Sequence, residues 1–283
     1  LGDPDLPPPL NVRKAACRAI MEGYTRYSAN AGLLELRRAI SDDIRRSTGV
    51  EADSEREIIV TVGAMEAAFL TLYSLVEPGD EVVIHAPYWI NYSQVVRSLG
   101  AVPVFVYTRP EDGFQLQADD LEAVLTKRTK VVVLNSPNNP TGAVIPEKTL
   151  EKIAELAQRC DFTVLSDEIY ESLVYDGCRS RSIRGIPGMK ERTVVSNGMS
   201  KRFAMTGWRL GWAVGPEKLI AQMTKMQENI VACAPLPAQH AGIEALNKRT
   251  DTNYIREEFQ RRRDLIYDGI NAIDGLACRP VPA

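Results

Sequence analysis

Histidine is nearly missing from this 283-residue chain, in which His85 and His240 are the whole set. Two imidazoles are too few for the usual zinc cluster, so nothing favours metal chemistry. Cysteine is sparse as well. The five thiols, Cys17, Cys160, Cys178, Cys233 and Cys278, are scattered without CxxC spacing. That is the pattern of reduced thiols in a cytoplasmic protein, not of a disulfide framework. No apolar run approaches the roughly 20 residues of a membrane helix. Neither sign of charge dominates: the net charge is −3 with acids and bases interspersed, which points away from nucleic acid or an anionic membrane. No GxGxxG follows any strand-like run, which disfavours a dinucleotide oxidoreductase. Internal repeats and low-complexity tracts are absent.

Apolar residues, by contrast, make up 45% of the chain, enough for a large core, and the length suits one large domain plus part of a second. Short β-branched runs fall at 58–62, 81–85, 102–106, 130–134, 162–166, 193–196 and 210–214. Helix-period segments separate most of them. In 146–160, for example, Leu150, Ile153, Ala154 and Ala157 share one face. Pro78-Gly79-Asp80 is turn chemistry before the next strand. This alternation predicts an α/β fold with a mostly parallel, doubly wound sheet and ligands at strand C-terminal ends. Residues 252–273 read as one long polar helix leading toward a second domain. No signal peptide is visible; the Pro-rich opening at Leu1 and the ending Pro280-Val281-Pro282-Ala283 read as part of a longer protein.

The chemistry concentrates in the turns after the strands. Lys201 lies in Ser196-Asn197-Gly198-Met199-Ser200-Lys201-Arg202-Phe203-Ala204-Met205-Thr206-Gly207-Trp208-Arg209-Leu210-Gly211, behind the apolar Thr193-Val194-Val195. A bare lysine is usually a solvated surface residue. A lysine delivered at a strand end, with the anion-binding Arg209 eight positions on, suits covalent amine chemistry on a phosphorylated carbonyl cofactor. Asp167 directly follows an apolar run. It reads either as a cap for a following helix or as a buried carboxylate needing a cation, such as a pyridinium nitrogen. Asn135-Ser136-Pro137-Asn138-Asn139-Pro140-Thr141-Gly142 reads on its own as a turn. Thr61-Val62-Gly63-Ala64-Met65-Glu66 joins a strand to a helix, and its small residues leave amides free to bind phosphate. Pro87-Tyr88-Trp89-Ile90-Asn91-Tyr92 begins a helix, with Trp89 as core packing or a half-exposed anchor.

Taken together, and in this order, these segments resemble class I/II pyridoxal-phosphate-dependent aminotransferases of the aspartate aminotransferase-like fold type. The resemblance implies a three-layer α/β/α fold with a seven-stranded, mostly parallel sheet and part of a smaller α+β C-terminal domain. The large cofactor-binding domain would span 1–240, and 241–283 would hold a linking helix and the start of the truncated small domain. Pyridoxal 5′-phosphate would be held as a Schiff base on Lys201, the catalytic residue. Asp167 would partner the ring nitrogen, Asn139 and Tyr170 the phenolic oxygen, and Trp89 would stack on the ring with Tyr88 in support. Arg209 and the amides of Ala64 and Met65 would hold the phosphate. The family often has serine where this chain has Gly198; Ser200 would supply that hydroxyl instead. Tyr24-Thr25-Arg26-Tyr27-Ser28-Ala29-Asn30-Ala31-Gly32 matches a segment whose tyrosine, here Tyr27, reaches the neighbouring subunit's cofactor, which implies a homodimer. Gly2, in Gly2-Asp3-Pro4-Asp5, matches a loop near the substrate carboxylate, which Asn139 would also approach. The implied activity moves an amino group between an L-amino acid and a 2-oxo acid. A carbon–sulfur lyase or a related elimination enzyme on the same scaffold, or a cofactor-sensing regulatory domain, are the competing readings.

Overall fold

The computed structural model describes residues 2–247 and 250–283. Seven strands form one sheet: β1 (Ile58–Thr61), β2 (Glu81–Ala86), β3 (Val102–Tyr107), β4 (Thr129–Asn135), β5 (Thr163–Asp167), β6 (Thr193–Gly198) and β7 (Gly211–Val214). Their spatial order is β1-β7-β6-β5-β4-β2-β3. All neighbours run parallel except β7, which is antiparallel to both β1 and β6. The inner strands are buried on both faces, so they read as near-continuous Val/Ile runs. Alternate residues still face opposite layers. Val132 and Leu134 of β4 join a cluster with Leu150, Ile153 and Ala157. Val131 and Val133 join another with Leu72 and Val96.

The helices are α1 (Leu10–Met21), α2 (Leu34–Thr48), α3 (Ala64–Leu75), α4 (Asn91–Ser98), α5 (Ala118–Glu122), α6 (Glu147–Cys160), α7 (Glu217–Ile230), α8 (Leu236–Ala245) and α9 (Asn253–Asn271). α2 and α8 cover one face of the β1-β7-β6 half, and α3 and α7 cover the other. The result is helix, sheet, helix, as the alternation in the sequence predicts. α6 buries the expected face, Leu150, Ile153, Ala154 and Ala157, and stops at Asp161 in a left-handed conformation. α9 is polar along its length, with Ile255 as its buried residue among those described.

Two boundaries differ from the sequence reading. The segment from Pro87 does not begin a helix at once; α4 starts at Asn91, and the Pro87 carbonyl accepts the Asn138 side-chain amide at 3.0 Å in place of a helical N–H. No helix follows Asp167 for it to cap. Residues 169–172 form turns, and the Asp167 side chain instead accepts the Ile169 N–H at 3.1 Å.

Candidate active site

Sheet polarity explains why residues scattered from Ala64 to Arg209 meet. β1, β2, β4, β5 and β6 all point the same way, so the turns after them line one edge of the sheet. Those turns carry Ala64, Trp89, Asn139, Tyr170 and Lys201. β7 runs in reverse, so its beginning, preceded by Arg209, lies at that same edge. One antiparallel strand therefore adds a cation to a site otherwise built from strand C-terminal ends.

Lys201 sits half-buried in the turn after β6, and its Nζ donates to the Gly2 carbonyl. Nζ lies 5.8 Å from the centre of the Tyr170 ring. Burial lowers its pKa below the ordinary lysine range; the Asp3 carboxylate opposes that shift and the Arg209 charge adds to it. Beside it opens a cleft of about 290 Å³ bordered by Gly2, Asn139, Tyr170, Lys201 and Phe259. Gly2 thus reaches the lysine from the irregular segment before α1. Asp3 bonds the Thr206 hydroxyl, and Asp5 is gripped by Arg262 of α9 at 2.7 Å.

Asp167 ends β5, 4% exposed. One carboxylate oxygen accepts the Tyr92 hydroxyl at 2.6 Å, the other the Ile169 N–H. Burial lifts its pKa to about 6, against the pull of both hydrogen bonds. Asn139 donates from its amide nitrogen to the Tyr170 hydroxyl at 3.5 Å. Its backbone N–H is held by the Asn135 side-chain oxygen at 2.7 Å. The Asn135 side-chain nitrogen in turn donates to the Asp167 carbonyl at 3.2 Å. Asn135, to which the sequence alone assigns no role, thus ties the Asn139 turn to the Asp167 strand.

The two adjacent aromatics after β2 part company. Tyr88 stacks on Phe105 of β3, with ring centres 5.1 Å apart. Trp89 stands edge-on to Tyr92 at 5.4 Å, which brings it next to the partner of Asp167. Tyr92 is the site residue that sequence reasoning missed. It stands three positions after Trp89, whose carbonyl accepts the Tyr92 N–H at 3.2 Å.

The phosphate-sized corner is defined by close approaches. Gly63 precedes α3 with φ 82°, and a Cβ there would lie 2.6 Å from Arg209 Nη2. A Cβ on Gly211 would lie 2.4 Å from the Ala64 nitrogen. Both glycines therefore let a guanidinium and a strand press against the start of α3. The first-turn amides of Ala64 and Met65 have no helical acceptor, and the helix dipole adds positive potential there. Glu66, in the same turn, points back: its carboxylate accepts the Val62 N–H, and burial raises its pKa. Arg209, at φ 53°, is anchored on the Thr206 carbonyl at 2.8 Å. This corner fits a phosphate dianion, and with the Lys201 amine and the Asp167 carboxylate it fits a phosphorylated pyridine aldehyde.

Gly198 also has a packing reason. A Cβ there would come within 2.9 Å of the Leu210 carbonyl and 3.0 Å of Gly211 Cα, so serine has no room. The half-buried Ser200 hydroxyl has no protein partner among the described residues. Tyr27 is 85% exposed and is not brought to Lys201 within this chain. Among the described residues no group of three His, Cys, Asp or Glu could hold a metal.

Comparison with known proteins fits this geometry. The family model for aminotransferase class I and II matches residues 1–283. A probable aspartate/prephenate aminotransferase from Thermus aquaticus is 43% identical over 283 residues, covering 99% of this chain and 73% of the relative. An aspartate aminotransferase from Rhizobium meliloti strain 1021 is 42% identical, covering 98% and 68%. Among solved structures, an aromatic aminotransferase from Pyrococcus horikoshii OT3 superposes with a TM-score of 0.97 at 39% identity, covering 100% of this chain and 77% of the other.

Proposed function

The chain belongs to the class I and II aminotransferases and is an amino-group transferase, and from that premise we propose that the Lys201 cleft holds pyridoxal 5′-phosphate and works on an L-amino acid and a 2-oxo acid in turn. The observation that carries this reading is the convergence of Lys201, Asp167 and Arg209 at one sheet edge. When bound, the cofactor supplies an electron sink that acidifies the proton on the substrate's α-carbon.

Every other part of the job falls to this chain's residues. The Lys201 amine holds the cofactor covalently, and its lowered pKa makes more of it neutral and nucleophilic at neutral pH. Freed from the cofactor, the same amine would stand where it can hold and move the proton of the substrate's α-carbon. Asp167 keeps the ring nitrogen protonated, and that positive charge in turn offsets the cost of burying the carboxylate. Asn139 and Tyr170 donate to the phenolic oxygen and favour its charged form. Arg209 offers a planar fork to the phosphate beside the amides of Ala64 and Met65, with the free Ser200 hydroxyl as a further donor. Trp89 covers the ring, and Gly2 with Asn139 lines the place of the substrate carboxylate.

The exposed Tyr27 fits a homodimer in which this residue completes the partner's phosphate site. All five cysteines are free, in keeping with a reducing, cytoplasmic setting.

Amino transfer from a panel of amino donors to 2-oxo acids tests the reading. The wild type should require a 2-oxo acid, and Lys201→Ala should lose at least about 10²–10⁴-fold in rate. Release of ammonia and pyruvate with no 2-oxo acid present would instead make it a lyase.

A further inference from the structure

We propose that Tyr92 is a positioning residue of this site, its hydroxyl orienting the Asp167 carboxylate and favouring its charged form. The inference rests on the cofactor reading above. It goes beyond it by giving a role to Tyr92 on α4, which closes the Pro87–Tyr92 segment and for which the sequence alone offers no role.

The geometry is specific. Tyr92 is 3% exposed and Asp167 is 4% exposed, and their 2.6 Å contact has the length of a charge-assisted O–H···O⁻ bond. A phenol has one proton to give, and burial and the Asp167 charge push the Tyr92 pKa well above its usual value. Tyr92 therefore stays protonated and remains the donor. The other carboxylate oxygen is fixed by the Ile169 N–H. With one donor on each oxygen, the carboxyl plane cannot rotate. No lysine or arginine pairs with Asp167 among the described residues. The acids and phenols around it are Glu168, held by the Ser166 and Ser182 hydroxyls, and Tyr170. A buried carboxylate with no cation of its own is a site for a cation brought by a ligand, and Tyr92 keeps it ionised until that cation arrives. Trp89 packs edge-on against the same phenol ring. The residue proposed to cover the cofactor ring therefore also braces the donor to the carboxylate beneath it.

Core packing alone would also place a tyrosine here, so the test must separate the hydroxyl from the ring. Tyr92→Phe removes only the hydroxyl, and 3-fluorotyrosine at position 92 strengthens it as a donor. In the cofactor-free full protein, the Asp167 carboxyl stretch is isolated by infrared difference against Asp167→Asn. Its titration midpoint should rise by about one pH unit in Tyr92→Phe and fall in the fluorotyrosine protein. In the loaded protein, Tyr92→Phe should weaken pyridoxal phosphate binding by roughly tenfold. It should lower kcat more than it raises KM. In an Asp167→Asn background the same substitution should cost nothing further. An unmoved Asp167 titration in both Tyr92 variants, or an equal loss in the Asp167→Asn background, would overturn the proposal. Should the wild type fail to take up pyridoxal phosphate, the cofactor reading falls, and the infrared titrations still decide whether Tyr92 governs Asp167.

Discussion

Arg209 shows how much one side chain carries here. Its left-handed backbone, φ 53°, is uncommon for a residue with a Cβ, and the Thr206 carbonyl holds the guanidinium in place. A planar fork can bind two phosphate oxygens at once, whereas an ammonium is a point charge. Arg209→Lys keeps the charge and should still weaken pyridoxal phosphate binding by about 10–100-fold, or ~1.4–2.8 kcal/mol. Equilibrium titration of the cofactor's absorbance checks this; unchanged affinity would mean that the α3 amides hold the phosphate without the fork. The roles of Lys201, Asp167, Asn139 and Arg209 could be proposed from the sequence because each needs a particular functional group at a strand end. Tyr92 and Asn135 could not. Their importance lies in what they touch across the fold, at Asp167 over 75 positions and 32 positions respectively, and no local pattern reports such contacts.

At the scale of elements, the site depends on how closely β7 and α3 approach. Gly211 sits where a Cβ would meet the Ala64 nitrogen at 2.4 Å, and backbone cannot swing aside as a side-chain tip can. Gly211→Ala should therefore push β7 from the helix start and destabilise the protein by about 2–4 kcal/mol, with loss of phosphate affinity. A thermal melt and a cofactor titration on the same protein measure both. Wild-type values in the two assays would mean that the cradle has slack. The strands themselves were legible because β-branched runs between turns have few other uses, and all seven predicted runs lie within one or two residues of observed strands. The direction of β7 was not legible. Residues 211–214 carry the same apolar alternation whichever way the strand runs, and only pairing with β1 and β6 decides it. The start of α4 depends on a distant contact as well: the Pro87 carbonyl is taken by the Asn138 amide at 3.0 Å, and the helix begins at Asn91.

Across the whole molecule, desolvation outweighs a nearby arginine at two acidic groups, Arg184 beside Glu168 and Arg202 beside Glu171. Burial raises Glu168 to about 7 and Glu171 to about 8. A carboxyl whose folded pKa lies above its unfolded value binds its proton more tightly in the fold. Stability then falls as pH rises between the two values. His85, at about 4 in the fold against 6.5 unfolded, acts the other way, but only below about 6.5. From pH 6.5 to 8.5 the cofactor-free protein should thus lose stability, with Tm falling by a few degrees, roughly 2–4 °C per kcal/mol. Glu168→Gln, which can still accept the Ser166 and Ser182 hydroxyls, should flatten that slope; a rise in Tm with pH would contradict the burial argument. The same desolvation that makes these acids costly raises the Asp167 pKa and lowers that of Lys201.

The central claim is that Lys201 is the point of covalent attachment, and one measurement addresses it directly. The purified protein is mixed with pyridoxal phosphate, reduced with borohydride and digested, and the modified peptide is mapped by mass spectrometry. One label per chain is expected, on Lys201, lost in Lys201→Ala and much weakened in Arg209→Lys at limiting cofactor. A label on any other lysine, or stoichiometric labelling that survives Lys201→Ala, would contradict it.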